Sequence, residues 1–221
     1  MQISMKARAA VVLVPLALAG TCLACAPVSA WAEAAGTGET ATAAEAAGSE
    51  VFANGVLTFA GVQVTLPADM NVQVAGTLAN AENADGTLTA AVENMTFATL
   101  PEKADLEAAF TAAASKTVSG YATASVEQGE TLDLGNGAKG YVFNLEASGP
   151  YEAVENADGT TTASTVGPEG HWSITQVYVA PEDGGFALVQ VAVSETASAE
   201  DVAAAKTAVE SVAIAPAAEQ T

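Results

Sequence analysis

The chain has 221 residues, half of them apolar but only 5% aromatic, and carries 6 Lys and Arg against 26 Asp and Glu, a formal net charge of −20. That length suits one domain with a core of its own, and the abundance of alanine and valine predicts a core of small side chains. The acidic excess makes phosphate and nucleic acid poor partners, because a polyanion is held by clustered cations.

Residues 1–32 have the pattern of a secretory leader: Lys6 and Arg8, an apolar run from Ala9 to Ala19, then small residues through Ala30-Trp31-Ala32. The run is too short to span a bilayer as a permanent helix. Cleavage is expected after Ala32, with Val28-Ser29-Ala30 as the alternative site. Either cut removes Cys22 and Cys25, so the exported product keeps four lysines, no arginine and a net charge of −22, with no disulfide. A second reading makes the chain a lipoprotein anchored to the membrane through Cys25, although Cys22 stands where the usual signal has Leu. The product is therefore expected outside the cell or at its surface. Residues 33–50 hold no bulky apolar side chain and read as a disordered linker.

A single domain is expected over 51–214. Val56 to Phe59 and Val62 to Leu66 read as a strand pair closed by Pro67, with Met70 to Val74 as an extension. Glu82-Asn83-Ala84-Asp85-Gly86-Thr87 is a hairpin turn by composition and feeds a strand from Leu88 to Ala98. The spacing of Leu106, Ala109, Phe110, Ala113 and Thr117 predicts a helix over 102–119, with Asp105 as one possible start. A polar strand follows over Val126 to Leu134, and Asn136-Gly137 marks the turn after it. Tyr141, Phe143 and Leu145 alternate with Val142, Asn144 and Glu146, a strand with one buried face that Gly149-Pro150 is expected to break.

Residues 151–166 lie between Gly149-Pro150 and Gly167-Pro168 and repeat the earlier turn, since Glu155 to Thr160 matches Glu82 to Thr87 letter for letter. They read as a hairpin flap. Trp172 to Val179 and Phe186 to Val193 then form an apolar hairpin around Pro181-Glu182-Asp183-Gly184-Gly185. In its second strand Val189, Val191 and Val193 point one way and Phe186, Leu188 and Ala192 the other, so both faces require cover. Ser198 and Asp201 open a second helix over 199–213, with Val202, Ala205, Val209 and Val212 as its apolar stripe. Residues 215–221 read as a disordered tail.

Reactive side chains are few. His171 is the one histidine, so a Ser-His-Asp arrangement would have to run through it, and no Gly-x-Ser-x-Gly elbow occurs. One imidazole without a thiolate does not make a zinc site. Carboxylate pairs remain available for acid–base chemistry, as in a hydrolase acting on carbohydrate. Calcium has hard oxygen donors in Asn83 and Asp85 or in Asn156 and Asp158, without the full ligand set of a calcium loop. Turn formation accounts for both copies. No cofactor is expected.

The order of elements, with Val62-Gln63-Val64-Thr65-Leu66-Pro67-Ala68-Asp69 and the final hairpin plus helix, resembles the PsbP-like family over about residues 52–214. This family includes small bacterial secreted proteins and lipoproteins, the photosystem II extrinsic subunit and a nuclear Ran-binding factor. Met70 stands where relatives often have Trp. The resemblance implies an α/β/α sandwich and a non-catalytic binding or assembly role, and it carries over no site residue.

The expected fold is α+β, an antiparallel sheet of about six or seven strands flanked by two helices, the alternative being two layers with both helices on one face. The expected function is a secreted or surface-tethered, non-enzymatic accessory module that binds a protein or other component of the cell envelope. Tyr151, Asn156, Asp158 and His171, on the flap and the sheet rim, are the candidate binding residues. The alternatives are a carboxylate-dependent hydrolase and a calcium-dependent adhesion or structural domain.

Overall fold

The computed structural model describes residues 51–95, 102, 104–135, 137–151, 154–155, 161–162, 170–181 and 185–216. The expected leader, the linker and residues 217–221 of the tail lie outside the described residues, as does most of the flap.

Two tight turns open the domain. β1 (Phe52–Ala53) pairs with β2 (Val56–Phe59), and β2 pairs with β3 (Val62–Thr65), all antiparallel. Their connections, Asn54-Gly55 and Ala60-Gly61, have positive φ at all four residues, the backbone that lets a two-residue turn follow the strand twist. Past Pro67 the chain crosses to a second sheet, built from β4 (Asn71–Ala75), β5 (Leu78–Glu82) and β6 (Leu88–Met95). Then follow helix α1 (Leu106–Thr117), β7 (Tyr121–Gln128), β8 (Leu132–Asp133) and β9 (Lys139–Tyr151). Among the described residues β10 (Val154–Glu155) pairs with β11 (Thr161–Thr162) alone. β12 (His171–Ala180), β13 (Phe186–Ser194), helix α2 (Ala199–Glu210) and β14 (Ala213–Ile214) complete the order.

The large sheet has eight strands in the order β4-β5-β6-β13-β12-β9-β7, with β8 also on β9. A separate four-stranded sheet runs β1-β2-β3-β14. This corrects the expected architecture of one six- or seven-stranded sheet flanked by two helices. The molecule is dominated by strands, in an eight-stranded and a four-stranded antiparallel sheet, with two helices among the described residues. The physical reason lies in residues 51–65. They do not lengthen the main sheet; they fold on themselves, and β3 takes β14 as its second neighbour through Val62 and Gln63 against Ile214 and Ala213.

β13 sits at the middle of the large sheet, between β6 and β12. On one side Val189 and Val191 pack with Leu57, Val62 and Val64 of the small sheet and with Ala208 and Val212 at the end of α2. On the other side Ala192 joins Leu106, Phe110 and Ala114 of α1, where the Phe110 ring stacks on Tyr178 at 4.7 Å. The two helices thus contribute to different cores, which also removes the arrangement with both on one face.

Several boundaries move for local reasons. α1 starts at Leu106 with Asp105 as N-cap, and its inner face takes Ala114 in place of the expected Ala113. Ser198 and Asp201 form a reciprocal capping box on α2. On α2 the expected stripe is kept at Ala205, Val209 and Val212, which pack on the core with Ala204 and Ala208, while its first member, Val202, is exposed. β7 begins at Tyr121, directly after α1, earlier than the expected Val126. β9 continues through Gly149-Pro150 to Tyr151, with a shift of register there and φ of +90° at Gly149. Among the described residues no helix is long and apolar enough to cross a membrane.

The α1 side holds a buried polar cluster. Gln176 Nε2 donates to Gln190 Oε1 (2.8 Å) and to Thr117 Oγ1 (3.1 Å), and the Tyr178 hydroxyl donates to Gln176 Oε1 (2.8 Å). Glu93 lies on the same side, half-buried, directly across from Leu188 on β13 and Leu78 on β5. Burial pushes its carboxyl from 4.5 up to about 7.

Replacing Gln176 by Leu deletes the hub of this cluster and is expected to cost about 2–4 kcal/mol, because buried polar partners lose a hydrogen bond each; urea unfolding checks it. For Glu93 the folded state holds the proton more tightly than the unfolded chain. Stability is therefore expected to fall as pH rises from about 4.5 to about 7. Glu93→Gln should flatten that slope and raise the urea midpoint at pH 8, measured beside the parent protein.

Candidate binding face

The large sheet is not covered evenly. On β9, Phe143, Leu145 and Ala147 are buried toward α1, while Asn144 and Glu146, on the opposite face, are exposed. Strand alternation carries the same split to the neighbours. Ser173 and Thr175 of β12 lie directly across from Glu146 and Asn144, and Ser125 and Glu127 of β7 flank the same two residues on the other side. The result is a polar ledge three strands wide, at the end of the face that the small sheet and α2 leave open.

Its best-defined feature is the Glu146 carboxylate. Ser173 Oγ donates to Glu146 Oε2 at 2.9 Å, and His171 Nε2 lies 2.9 Å from the same oxygen. The histidine and glutamate side chains are 44% and 50% exposed, so their pairing contributes little to stability. One row along, Thr175 Oγ1 donates to Asn144 Oδ1 at 3.2 Å. The order of contacts matters chemically. The carboxylate stands between the hydroxyl and the imidazole, whereas nucleophilic catalysis needs the imidazole between a hydroxyl and a carboxylate. What the ledge offers is a solvent-facing set of hydroxyl, amide and carboxylate groups.

Of the residues singled out from sequence, His171 is on this ledge. Tyr151 ends β9, where its backbone pairs with Tyr121. Asn156 and Asp158 lie outside the described residues, between β10 and β11, which pair antiparallel as Val154 with Thr162 and Glu155 with Thr161. Sequence reasoning passed over Glu146, Asn144 and Glu127. The signal was present in the period-two pattern of Asn144 and Glu146 against Phe143 and Leu145, which served only to identify the buried side.

The other proposed oxygen donors have a different use. Asn83 Oδ1 accepts from the backbone N–H of Thr87 (2.9 Å) and of Leu88 (3.1 Å). Its Nδ2 donates to Thr87 Oγ1 (3.0 Å) and to Asp201 Oδ1 (3.1 Å), and Thr87 Oγ1 donates to Asp201 Oδ2 (3.2 Å). The β5–β6 turn is thereby clasped to the start of α2. The Asp201 carboxyl is held below the usual range, chiefly by hydrogen bonds from Ser198. Among the described residues no three His, Cys, Asp or Glu side chains gather to hold a metal ion.

No family model matches the chain, and no curated protein matches it. A solved structure of a mutant form of the protein Mog1 is matched at 12% identity, covering 70% of this chain and 90% of that chain, with a TM-score of 0.41. A likeness at that level carries no argument, and the resemblance to PsbP-like proteins rests on the residues quoted for it.

Proposed function

We propose that this chain is a non-enzymatic accessory module, secreted or tethered at the surface of a bacterial cell envelope, that captures another envelope component on the open end of its large sheet. The observation that carries this reading is the polar ledge of Glu127, Asn144, Glu146, His171, Ser173 and Thr175, uncovered while the rest of that face is packed. Donors and acceptors held in register across three strands offer an extended partner several polar contacts at once. The leader-like residues 1–32 support export, and Cys25 supports the tethered form.

Capture from a solubilised envelope extract by the immobilised protein tests the reading. Glu146→Ala combined with Ser173→Val is expected to lower recovery of the captured component at least tenfold while the circular dichroism spectrum is unchanged. Deleting 152–165 reports on the flap separately, and undiminished capture would remove it from the account. Recovery that survives the double substitution in a folded protein would refute binding through the ledge.

A further inference from the structure

β7 ends the large sheet, and among the described residues no strand pairs with its outer edge. Residues 122–125 are exposed, as are Glu127 and Gln128. Which backbone groups point outward follows from one hydrogen bond: Gly129 N–H donates to the Val142 carbonyl at 2.9 Å, in the register that pairs Gln128 with Phe143. Backbone groups alternate sides along a strand. Ser125 and Glu127 therefore turn their N–H and C=O toward β9, and Ala124, Val126 and Gln128 turn theirs toward the free edge. This edge carries one charged side chain, Glu127, and a register shift near its start, between Tyr121 and Thr123, but no proline, no lysine and, among the described residues, no covering segment.

We propose that an extended cationic segment of the partner adds to β7 as a further strand, hydrogen-bonding to the outward backbone groups of Ala124, Val126 and Gln128. The proposal deepens the function given above and rests on it for the existence of a partner. Its charge follows from the ledge beside the edge, where Glu127 and Glu146 are exposed and Lys139 lies at the far end of β9, across from Ala180. The chain as a whole carries −20, which steers cations and disfavours a second copy of itself. An added strand places alternate side chains on the two sheet faces. One set would lie beside Glu127 on the ledge, the other beside Ala124 and Val126 on the α1 side. The segment that fits is one in which Lys or Arg alternates with small apolar residues, the main chain providing affinity and the alternation providing specificity.

A fluorescein-labelled peptide of four Lys-Val repeats, acetylated and amidated, is the probe, with the full exported chain as receptor. A block peptide of four lysines followed by four valines and a Glu-Val repeat serve as controls. Anisotropy should show binding of the Lys-Val repeat at least tenfold tighter than the block peptide and none of the Glu-Val repeat. Ala124→Pro, which removes an outward N–H and leaves the β9 ladder intact, should weaken binding at least tenfold. Glu127→Gln with Glu146→Gln should weaken it several-fold and reduce its salt dependence. If Ala124→Pro fails to fold, amide exchange on the parent protein decides: the Ala124, Val126 and Gln128 N–H groups should slow on adding peptide. Equal binding of block and alternating peptides, undiminished binding by folded Ala124→Pro, or unchanged exchange at those three amides would overturn strand addition while leaving capture on the ledge standing. So would sedimentation showing that β7 is occupied by a second copy. Loss of envelope capture with peptide binding intact would instead refute the broader function.

Discussion

A strand with apolar side chains on both faces cannot be left half dry, and most of this molecule follows from that requirement at β13. Val189 and Val191 need one cover and Ala192 another. The chain provides them from unlike materials: α1 on one side, the small sheet with α2 on the other. Alanine and valine fill much of the interior, and the few large rings pack together on the α1 side. Phe110, stacked on Tyr178 and edge-on to Phe186 at 5.9 Å, is the clearest of these. The Gln176 cluster beneath α1 adds direction to that otherwise nonspecific contact, since its hydrogen bonds are satisfied in one alignment of β12, β13 and the helix.

The covers end before the sheet does. Where β9 and β12 run past them, the side chains on the uncovered face change from Val142, Val177 and Val179 to Asn144, Glu146, Ser173 and Thr175. On the α1 side the same strands carry Phe143, Leu145, Trp172 and Ile174. The ledge is thus a direct product of uneven roofing, and it needs no special loop or strained backbone to display its groups. Holding them on a sheet rather than on a loop fixes their spacing at the interstrand distance, which suits a ligand that is itself extended.

Much of this was legible in the residues. Period-two alternation identified the strands around Phe143 and Leu145, and the two-faced pattern of Phe186 to Val193 reported its central position. Ser198 and Asp201 announced the second helix. The partition of strands into two sheets was not legible, because the pairing of Val62 and Gln63 with Ala213 and Ile214 spans about 150 residues and neither short segment carries a signal for the other. Nor was the clasp of Asn83 and Thr87 onto Asp201: turn composition explained the first two and helix capping the third, so nothing local required them to meet. For the ledge, His171 attracted notice by being the lone imidazole. Glu146, which both His171 and Ser173 contact, is one of 26 acids and becomes distinctive only when three strands are set side by side.

The pairing of β3 with β14 has a consequence for how the protein is made. The fourth strand of the small sheet consists of Ala213 and Ile214, which come after every other strand of the described residues and so are synthesised after them. Until they arrive, the small sheet over Val189 and Val191 lacks its last strand. Closure of so distant a pair is slow by its nature. The small sheet is thus completed only after every strand of the large sheet has been made.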